Sequence, residues 1–551
     1  MAELSERLDE MFPRLTAGQI ARLLPLGRRR LFASGEVIYE RGSSKRAFYV
    51  LLDGRVEITS PARMGEERVT VQDAGQFTGE VDMISGRRSL VRASALGATE
   101  LLEIDLPELR HIVRADPELS ELFLRAFVLR RAHLIAHTIG GVVLVGSNHS
   151  ADTLRLKGFL ARNGHPHVYL DVERDAGVDA LLEHFRIGVT EVPVLICRER
   201  DRALRNPSNA DVARALGFNT EVEAEHVHDL VVVGAGPAGL AAAVYGASEG
   251  LDVLVLESSA PGGQAGTSSR IENYLGFPTG ISGAELAGRA FLQAEKFGAN
   301  VAVARVAMGL VCAERQLRIA CADGGTVQGH AIVVASGAAY RKLTVPELAR
   351  FEGNGVYYGA TRVEAQLCDG EDVVVVGGGN SAGQAAVFLS GIARHVHLLV
   401  RGGGLAESMS RYLIQRIEET SRITLCCNTQ IEALEGERSL ERVWWRGGAA
   451  AAEQHDIRHV FSMTGADANS QWLAGCVVLD AQGFVKTGTD LAPPELEAAG
   501  WPLARRPHQF ETSRPRVFAV GDVRCGSMKR VAAAVGEGSA AIQAVHRVLA
   551  E

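Results

Sequence analysis

Residues 229–258 read DLVVVGAGPAGLAAAVYGASEGLDVLVLES, and this stretch decides the fold of more than half of the chain. Its apolar run at 230–233 has the composition of a buried parallel strand. Gly234, Gly236 and Gly239 follow at G-x-G-x-x-G spacing. In such a unit the first glycine permits a sharp turn, the second lets the backbone approach a pyrophosphate, and the third brings helix against strand.

The residues after the glycines complete a Rossmann-type unit. Small helix-forming residues fill positions 241–247, so the helix N-terminus can turn its free N–H groups and positive dipole end toward phosphate. A second predicted strand at 252–256 ends on Glu257, a carboxylate placed to accept both hydroxyls of an adenosine ribose. Strand, glycine triplet, helix, strand and acid in this order predict an α/β domain that binds a dinucleotide.

The segment at 260–278, APGGQAGTSSRIENYLGFP, is a long polar excursion. In a unit that binds only NAD, the chain would normally enter its next helix at this point. The succession GAGPAG, then PGGQ, then a glutamate–asparagine pair before an aromatic–Gly turn resembles low-molecular-weight thioredoxin reductase. In that family the excursion wraps the flavin. The resemblance therefore implies FAD contacts at Gly263, Gln264 and Asn273.

The resemblance covers 229–551 and implies a split flavin domain. Its two parts are 229–342 and 466–551, and a pyridine-nucleotide domain at 343–465 is inserted between them. The first part closes with the apolar strand and small-residue turn AIVVASGA at 331–338.

The second part of the flavin domain contains VFAVGDVRCGSMKR, which ends a strand on Gly521 and Asp522 before the last helix. The family's aspartate at this position bonds the ribityl chain. Its Arg-Gln pair reads Lys529 and Arg530 here, a change that would tune the flavin potential rather than abolish binding. The residues implied to bind FAD are Gly234, Gly236, Pro237, Ala238, Gly239, Glu257, Gly263, Gln264, Asn273, Gly337, Gly521, Asp522, Lys529 and Arg530.

The inserted domain carries a second fingerprint, in which an apolar run at 373–376 leads into GGGNSA. The next predicted strand, 396–400, ends on Arg401 rather than on an acid. An acid repels a 2′-phosphate, whereas an arginine can bind it bidentately, so NADPH is favoured and NAD is possible. Arg411 could reach back from the following helix. The residues expected to bind NAD(P) are Gly377, Gly379, Asn380, Ser381, Ala382 and Arg401.

The redox cysteines of the thioredoxin reductases are missing. That family carries C-x-x-C-D-G shortly before the second fingerprint, and alignment of GVYYGATRVEAQLCDG puts Gly359 and Arg362 at the two cysteine positions. Glycine cannot be a nucleophile and arginine cannot be oxidised, so the disulfide relay is absent. Cys368 lies further on without a partner in sequence, and Cys525 is a candidate for a relocated thiol.

Residues 1–138 form the first predicted domain. Helical patterns at 4–12 and 17–24 precede alternating segments such as 37–39 and 56–58, which fit half-buried strands with glycine turns. An amphipathic helical stretch follows at 107–137. The whole domain resembles a cyclic-nucleotide-binding β-barrel of the catabolite-activator type.

That resemblance implies a phosphate cassette, here at 79–91, in which the Glu takes a ribose hydroxyl and an Arg pairs with the cyclic phosphate. Gly79 and Glu80 match, and either Arg87 or Arg88 supplies the guanidinium. The cassette is about two residues shorter than in the family, and Leu90 replaces a small residue. The alternative is a degenerate barrel used for dimer contacts.

Residues 139–222 form the second predicted domain. Strands at 142–145, 168–171 and 194–197 alternate with helices at 152–163 and 178–185, a pattern that resembles a thioredoxin or glutaredoxin fold. The family's redox cysteines would fall at 149–153, where HSADT has no thiol. We therefore expect a docking or spacer role. The polar segment 221–228 links this domain to the flavin domain.

The overall composition further limits the kinds of function that this protein can have. A net charge of −8 argues against nucleic acid as main partner, because such a surface is normally basic. Eight cysteines in 551 residues, with no C-x-x-C, do not form a secreted disulfide framework. The N-terminus lacks a signal-peptide core and no apolar run has the length of a membrane span. We expect a cytoplasmic homodimer.

Three His-x-His pairs, His165/His167, His226/His228 and His395/His397, have no evident third and fourth ligand in sequence, so we expect no metal site.

Together these patterns predict an FAD-dependent NAD(P)H oxidoreductase. We expect it to be regulated by cyclic nucleotide and to pass electrons to a small-molecule or protein acceptor other than thioredoxin. Two alternatives stay open. One is thioredoxin reduction through Cys525, and the other is a non-catalytic sensor of redox state and cyclic nucleotide.

Overall fold

The computed structural model describes residues 9–43, 47–61, 66–137, 141–175, 178–188, 191–197, 202–219, 225–311, 317–437 and 439–551. The predicted helix at 4–12 lies mostly outside these residues. No helix in the described ranges is long and apolar enough to cross a membrane.

The N-terminal barrel consists of two antiparallel sheets and flanking helices. One sheet has three strands in the order Arg28–Phe32, Thr99–Ile104, Phe48–Asp53, and the other has four in the order Val37–Tyr39, Arg92–Ala95, Arg55–Pro61, Glu66–Asp73. The helices are Ala17–Leu23, Asp82–Ser85, Leu106–Ala115 and Pro117–Ala136. Four phenylalanine rings, Phe48, Phe77, Phe123 and Phe127, pack together in the core between the sheets and the last helix.

The single helix predicted at 107–137 is two helices. Asp116 has φ −112° and ψ 102°, and its side chain accepts the backbone N–H of Leu119, so it ends one helix and caps the next. Pro117 explains the break, because proline has no N–H, disfavours helical backbone in the residue before it, and is well placed in a first turn.

The middle unit is a four-stranded sheet with helices on its faces. The strand order is Arg202–Arg205, Val194–Cys197, Val142–Gly146, Val168–Asp171. Its helices are Ala151–Arg162, Val178–His184 and Asn209–Leu216, and the predicted elements of this unit are confirmed to within one residue. We call Ala151–Arg162 the bridging helix, because its end contacts the other units.

The first dinucleotide domain is built on a seven-stranded sheet. Six strands run in the order Asn300–Val303, Val253–Glu257, Val227–Val233, Thr326–Val334, Leu317–Cys321, Ala307–Val311, and Val517–Ala519 also pairs with Thr326–Val334. Five of these strands, including Val517–Ala519, pair in parallel with one another, as the apolar runs predict. The long helices are Pro237–Ser248, Gly283–Phe297 and Val531–Ala550.

The second dinucleotide domain has a five-stranded parallel sheet in the order Val356–Tyr357, His459–Ser462, Asp372–Val376, His395–Val400, Ile423–Cys427. Its helices are Leu348–Phe351, Arg362–Ala365, Asn380–Ser390 and Arg411–Glu419. A three-stranded antiparallel sheet, Thr429–Glu435, Arg442–Gly447, Glu453–His455, covers it. A two-stranded antiparallel ladder, Ala338–Tyr340 with Ala466–Ala468, connects this domain to the first dinucleotide domain. The short helix Pro493–Ala498 lies in the second part of the first domain.

The two N-terminal units pack on the dinucleotide domains. Helix Gly283–Phe297 of the first dinucleotide domain contacts Asp82–Ser85 and Leu106–Ala115 of the barrel, and the bridging helix contacts Arg362–Ala365 of the second domain. The cassette and the bridging helix therefore lie close to both halves of the candidate active site.

Candidate active site between two dinucleotide cradles

We call the glycine-rich turn at 234–239 the first cradle and the matching turn at 377–382 the second cradle. The first cradle cannot accept larger residues at its key positions. Gly234 has φ +105°, and a Cβ there would lie 2.4 Å from the Ala335 carbonyl oxygen. A Cβ on Gly239 would lie 1.8 Å from the carbonyl oxygen of Gly234. Gly236 is the N-cap of helix Pro237–Ser248, whose first-turn N–H groups are free for an anion. This geometry fits the pyrophosphate of a dinucleotide.

Glu257 is buried at the end of its strand. One carboxylate oxygen accepts the backbone N–H of Ala235 at 2.8 Å, and the other accepts those of Ser259 at 2.8 Å and Ala260 at 3.1 Å. These bonds hold the carboxylate beside the glycine loop, and its remaining lone pairs suit ribose hydroxyls.

The polar excursion, residues 258–282, lies against the cradle, and we call it the flavin loop. A Cβ on Gly263 would lie 3.0 Å from the Cα of Gly236. The Gln264 side chain donates to the carbonyl of Ala338 at the connecting ladder. Asn273, in contrast, is exposed. Gly337 has φ +66°, as its turn requires.

The last helix closes the first cradle from the other side. A Cβ on Gly538 would lie 2.1 Å from the carbonyl oxygen of Ala238, so the two helices pack tightly. Burial raises the pKa of Asp522, and the nearby cation of Lys529 opposes that rise. Lys529 and Arg530 are exposed just before the helix begins, and Gly521 has φ +71°.

The second cradle repeats the first. Gly377 has φ +144°, and a Cβ there would lie 2.6 Å from the Met463 carbonyl oxygen. Gly379 caps helix Asn380–Ser390, and Ala382 is buried in its first turn.

The loop after the next strand supplies cations to this cradle. Arg401 and Arg411 are both exposed at its two ends. The Asn380 side chain accepts the backbone N–H of Ser410 at 2.7 Å, and the Ser408 hydroxyl donates to the Gly378 carbonyl at 2.8 Å. The loop is thereby held beside the glycines.

Tyr340 joins the two cradles. It lies on the connecting ladder, and burial raises its pKa, while a hydrogen bond with the hydroxyl of Ser381 in the second fingerprint opposes that rise. The charge of Asp522 in the first domain also raises it. Nothing in the local sequence pattern identifies Tyr340, because the ladder pairs two segments that lie far apart in the chain.

The position of the missing redox pair lies at the flavin loop. A Cβ on Gly359 would be 4.0 Å from the Cβ of Thr267. Arg362 begins the short helix that contacts the bridging helix, although its side chain is outside the described part of the chain. The locus that carries the nucleophile in the thioredoxin reductases is therefore next to the cofactor cradle and has no thiol.

Among the described cysteines, neither Cys368 nor Cys525 has a neighbouring cysteine in sequence, and the one adjacent pair is Cys426 and Cys427. All seven are free thiols. Cys368 is fully buried, and burial raises its pKa to about 12. Burial together with the carboxylate of Asp480 raises the pKa of Cys525, which disfavours the reactive thiolate.

The barrel has a cavity that is partly open to solvent. Glu80 and Gly79, two of the residues implied to bind the nucleotide, line it together with apolar side chains of the sheets. Arg131 donates to the carboxylates of Glu80 at 3.3 Å and Asp82 at 3.1 Å. Arg130, which the sequence analysis did not identify, also lines the cavity and is buried.

The two cassette arginines contact the middle unit instead. Arg87 donates to the backbone oxygen of Asn163 at 3.2 Å, and its guanidinium lies over the rings of Phe218 and Phe291. Arg88 donates to the backbone oxygen of Ala215 at 3.2 Å. Neither residue belongs to the described lining of the barrel cavity.

One histidine pair has a third group that the sequence analysis missed. The Asp252 carboxylate lies 2.7 Å from Nε2 of His226 and 2.8 Å from Nδ1 of His228. All three ligand atoms lie within 4.8 Å of one another. Asp252 is 24 residues from His228, and parallel pairing of their strands brings them together.

Comparison with known proteins agrees with this architecture. The profile of the family "Pyridine nucleotide-disulphide oxidoreductase" matches residues 228–538, and that of "Cyclic nucleotide-binding domain" matches 29–116. A thioredoxin reductase of Mycolicibacterium smegmatis is 34% identical over 331 residues, covering 59% of this chain and 97% of that protein. One from Bacillus subtilis is 28% identical, covering 59% and 96%.

Two solved structures have a similar fold over the same share of the chain. Lactococcus lactis thioredoxin reductase in the FR conformation has a TM-score of 0.52 and 25% identity, and covers 59% of this chain and 99% of that one. T. acidophilum thioredoxin reductase has a TM-score of 0.52 and 25% identity, and covers 59% and 100%.

Proposed function

The chain belongs to the pyridine nucleotide-disulphide oxidoreductase family, and from that membership we propose that it oxidises NAD(P)H and passes the electrons to an acceptor other than thioredoxin. It is an oxidoreductase of the thioredoxin reductase-like class, a class that uses FAD and NADPH. The observation that carries the proposal is the pair of complete glycine cradles beside a redox locus without cysteine.

The chain's own residues support the first half of the reaction. Gly234, Gly236 and Glu257 would hold the FAD dinucleotide, and the second cradle with Arg401 would hold NADPH. The chemistry that FAD supplies when bound is two-electron acceptance from a reduced nicotinamide. Tyr340 lies on the ladder that connects the nicotinamide domain to the flavin domain.

The second half of the reaction is where this chain differs from its relatives. A C-x-x-C relay needs a thiolate beside the flavin and a second thiol to resolve the disulfide. Gly359 and Arg362 stand at those positions, and the raised pKa of Cys525 makes a relocated relay unfavourable. Direct transfer fits instead: NADPH gives up two electrons as hydride, and a quinone or oxygen gains two electrons and protons.

Anaerobic titration tests the first half. The purified full chain should be yellow, with roughly one FAD per chain because it has one flavin fingerprint, and NADPH should bleach it. Air or a quinone should restore the colour. A colourless wild type that takes up no FAD would contradict the proposal.

The barrel is proposed as the regulatory site for a cyclic nucleotide. Its cavity pairs a carboxylate suited to a ribose hydroxyl, Glu80, with a cation, Arg130, among apolar walls suited to a purine. Arg130 donates to the carbonyls of Phe77, Gly79 and Met11, while its Nη2 is buried without a hydrogen-bond partner among the described residues. The cyclic phosphate would supply that partner.

A series of hydrogen bonds could carry the signal from the cavity to the flavin loop. Arg131 holds Glu80 and also donates to the Gly164 carbonyl at 3.0 Å, just past the bridging helix. Asn163 accepts from Arg87 and, through its amide, donates to the Ser259 carbonyl at 3.2 Å. A ligand that recruits Glu80 would change the contacts of Arg131 and thereby bias this helix end.

Calorimetry with cyclic AMP and cyclic GMP tests whether the barrel binds a cyclic nucleotide. Losing one charge-assisted contact should weaken binding by roughly ten- to a hundredfold, so we expect that effect for Arg130→Met, which removes the cation. Arg125→Met, at an exposed arginine on the same helix, is the matched control. No heat at millimolar ligand would leave the barrel as a dimerisation or docking element.

A further inference from the structure

The bridging helix ends on an arginine that contacts the flavin loop. Arg162 donates through Nη2 to the carbonyl of Gly263 at 3.2 Å and to that of Ala260 at 3.5 Å. Arg162 lies outside the residues 228–538 that match the oxidoreductase family. Its position relative to the cofactor therefore comes from the fold of this chain alone.

The contact places the guanidinium next to the anion end of the cradle. A Cβ on Gly263 would lie 3.0 Å from the Cα of Gly236, so the two backbones touch. Gly236 caps helix Pro237–Ser248, whose free N–H groups receive a pyrophosphate. The Arg162 guanidinium therefore bonds the residue whose backbone meets the N-cap of this helix.

The charge of Arg162 is only partly compensated by the protein. Burial lowers its pKa, and the charges of Glu257 and Glu364 oppose that shift from two different domains. Its Nε is buried with no acceptor among the described residues. Leaving that one buried donor unpaired is costly, and a phosphate oxygen is an acceptor that suits the guanidinium fork.

We propose that Arg162 is an FAD-binding residue, supplied by the middle unit, that pairs with the diphosphate of the cofactor. The middle unit then completes the cofactor site, which gives this unit a function despite the absence of its redox cysteines. The residue that follows Arg162, Asn163, is held between Arg87 of the cassette and Ser259 of the flavin loop.

The test compares Arg162→Met with Arg155→Met in the full chain. Both variants remove a guanidinium from the same helix, but Arg155 bonds Asn206, Asn209 and Pro207 within the middle unit. We expect Arg162→Met to bind FAD roughly ten- to a hundredfold more weakly, measured by the recovery of flavin fluorescence on release, and Arg155→Met to bind it normally.

Ligand fragments separate a phosphate contact from loop support. On the deflavinated full chain, Arg162→Met should weaken ADP binding by a similar factor and leave adenosine binding unchanged. Unaltered FAD and ADP binding would overturn the proposal, and so would equal losses for ADP and adenosine, which would show that Arg162 only shapes the loop. These readouts do not depend on the electron acceptor, so the proposed reaction can fail while this assignment stands.

Discussion

Arg87 of the barrel cassette donates a hydrogen bond to the backbone oxygen of Asn163 at 3.2 Å, so a residue implied to bind a cyclic phosphate contacts the middle unit instead. The Asn163 side chain in turn donates to Ser259 in the flavin loop. Two hydrogen bonds through one residue therefore connect the N-terminal barrel with the flavin loop.

Arg87→Met should uncouple the barrel from the reductase. Loss of a hydrogen bond to a charged donor costs about 1.5–3 kcal/mol of stability, so the thermal unfolding temperature should fall. Any effect of cyclic nucleotide on NADPH turnover should disappear, while binding at the barrel cavity persists. Arg29→Met, an exposed arginine of the barrel, is the control. Turnover that still responds to the nucleotide would contradict the coupling route.

We expect the free energy of unfolding of the protein to depend on pH through the ionisation of Glu295. Burial beside the cassette raises its pKa to about 8, with Arg87 opposing the rise. The folded state therefore holds this proton more tightly than the unfolded chain, and the resulting stability is lost as pH rises from about 4.5 to about 8.

Chemical denaturation at a series of pH values checks this expectation. Glu295→Gln, which cannot ionise, should match the wild type near pH 5 and become the more stable protein near pH 8. The wild type should lose up to about 1.4 kcal/mol per pH unit relative to the variant within the window. Parallel curves for the two proteins would show that Glu295 does not titrate as proposed.

Gly239→Ala should abolish flavin binding. Its Cβ would lie 1.8 Å from the Gly234 carbonyl oxygen, so the helix cannot stay close to the cradle. Gly288→Ala is the matched control, because its Cβ meets nothing within 4 Å on helix Gly283–Phe297. We expect the absorption of bound flavin to be lost in the first variant and retained in the second. A yellow Gly239→Ala protein would contradict the assignment of this cradle to FAD.

Arg401→Ala should raise the KM for NADPH roughly tenfold or more and leave that for NADH nearly unchanged, because only NADPH has a 2′-phosphate to lose a charge-assisted contact. Steady-state kinetics with both nucleotides measure this. Arg411→Ala shows whether the arginine at the other end of the loop shares the role. Equal effects of Arg401→Ala on both nucleotides would mean that Arg401 does not meet the phosphate.

The parts of the site that the sequence predicted depend on local chemistry. Gly234, Gly239 and Gly377 could be predicted from the sequence because a turn or a close helix contact tolerates no side chain at these positions. Glu257 could be predicted because it ends the second strand of the same Rossmann-type unit. Secondary structure in the middle unit was predictable for the same reason, since apolar runs and capping residues act over a few positions.

The parts that the sequence did not predict depend on contacts between units. The cassette motif indicates an arginine, but the destination of Arg87 is set by a helix end 76 residues away. The same holds for Arg162 and Gly263, which are 101 residues apart, and for His228 and Asp252. The spacing of residues within one helix or strand does not predict contacts between residues so far apart in the chain.

The central claim is that electrons leave the flavin without a thiol relay. The direct measurement is stopped-flow reoxidation of the NADPH-reduced full chain, mixed anaerobically with thioredoxin or with a quinone, for the wild type and for Cys525→Ser. We predict that the quinone restores the flavin colour, that thioredoxin does not, and that the substitution changes neither result. Fast reoxidation by thioredoxin that is lost in Cys525→Ser would contradict the claim and establish a relocated relay.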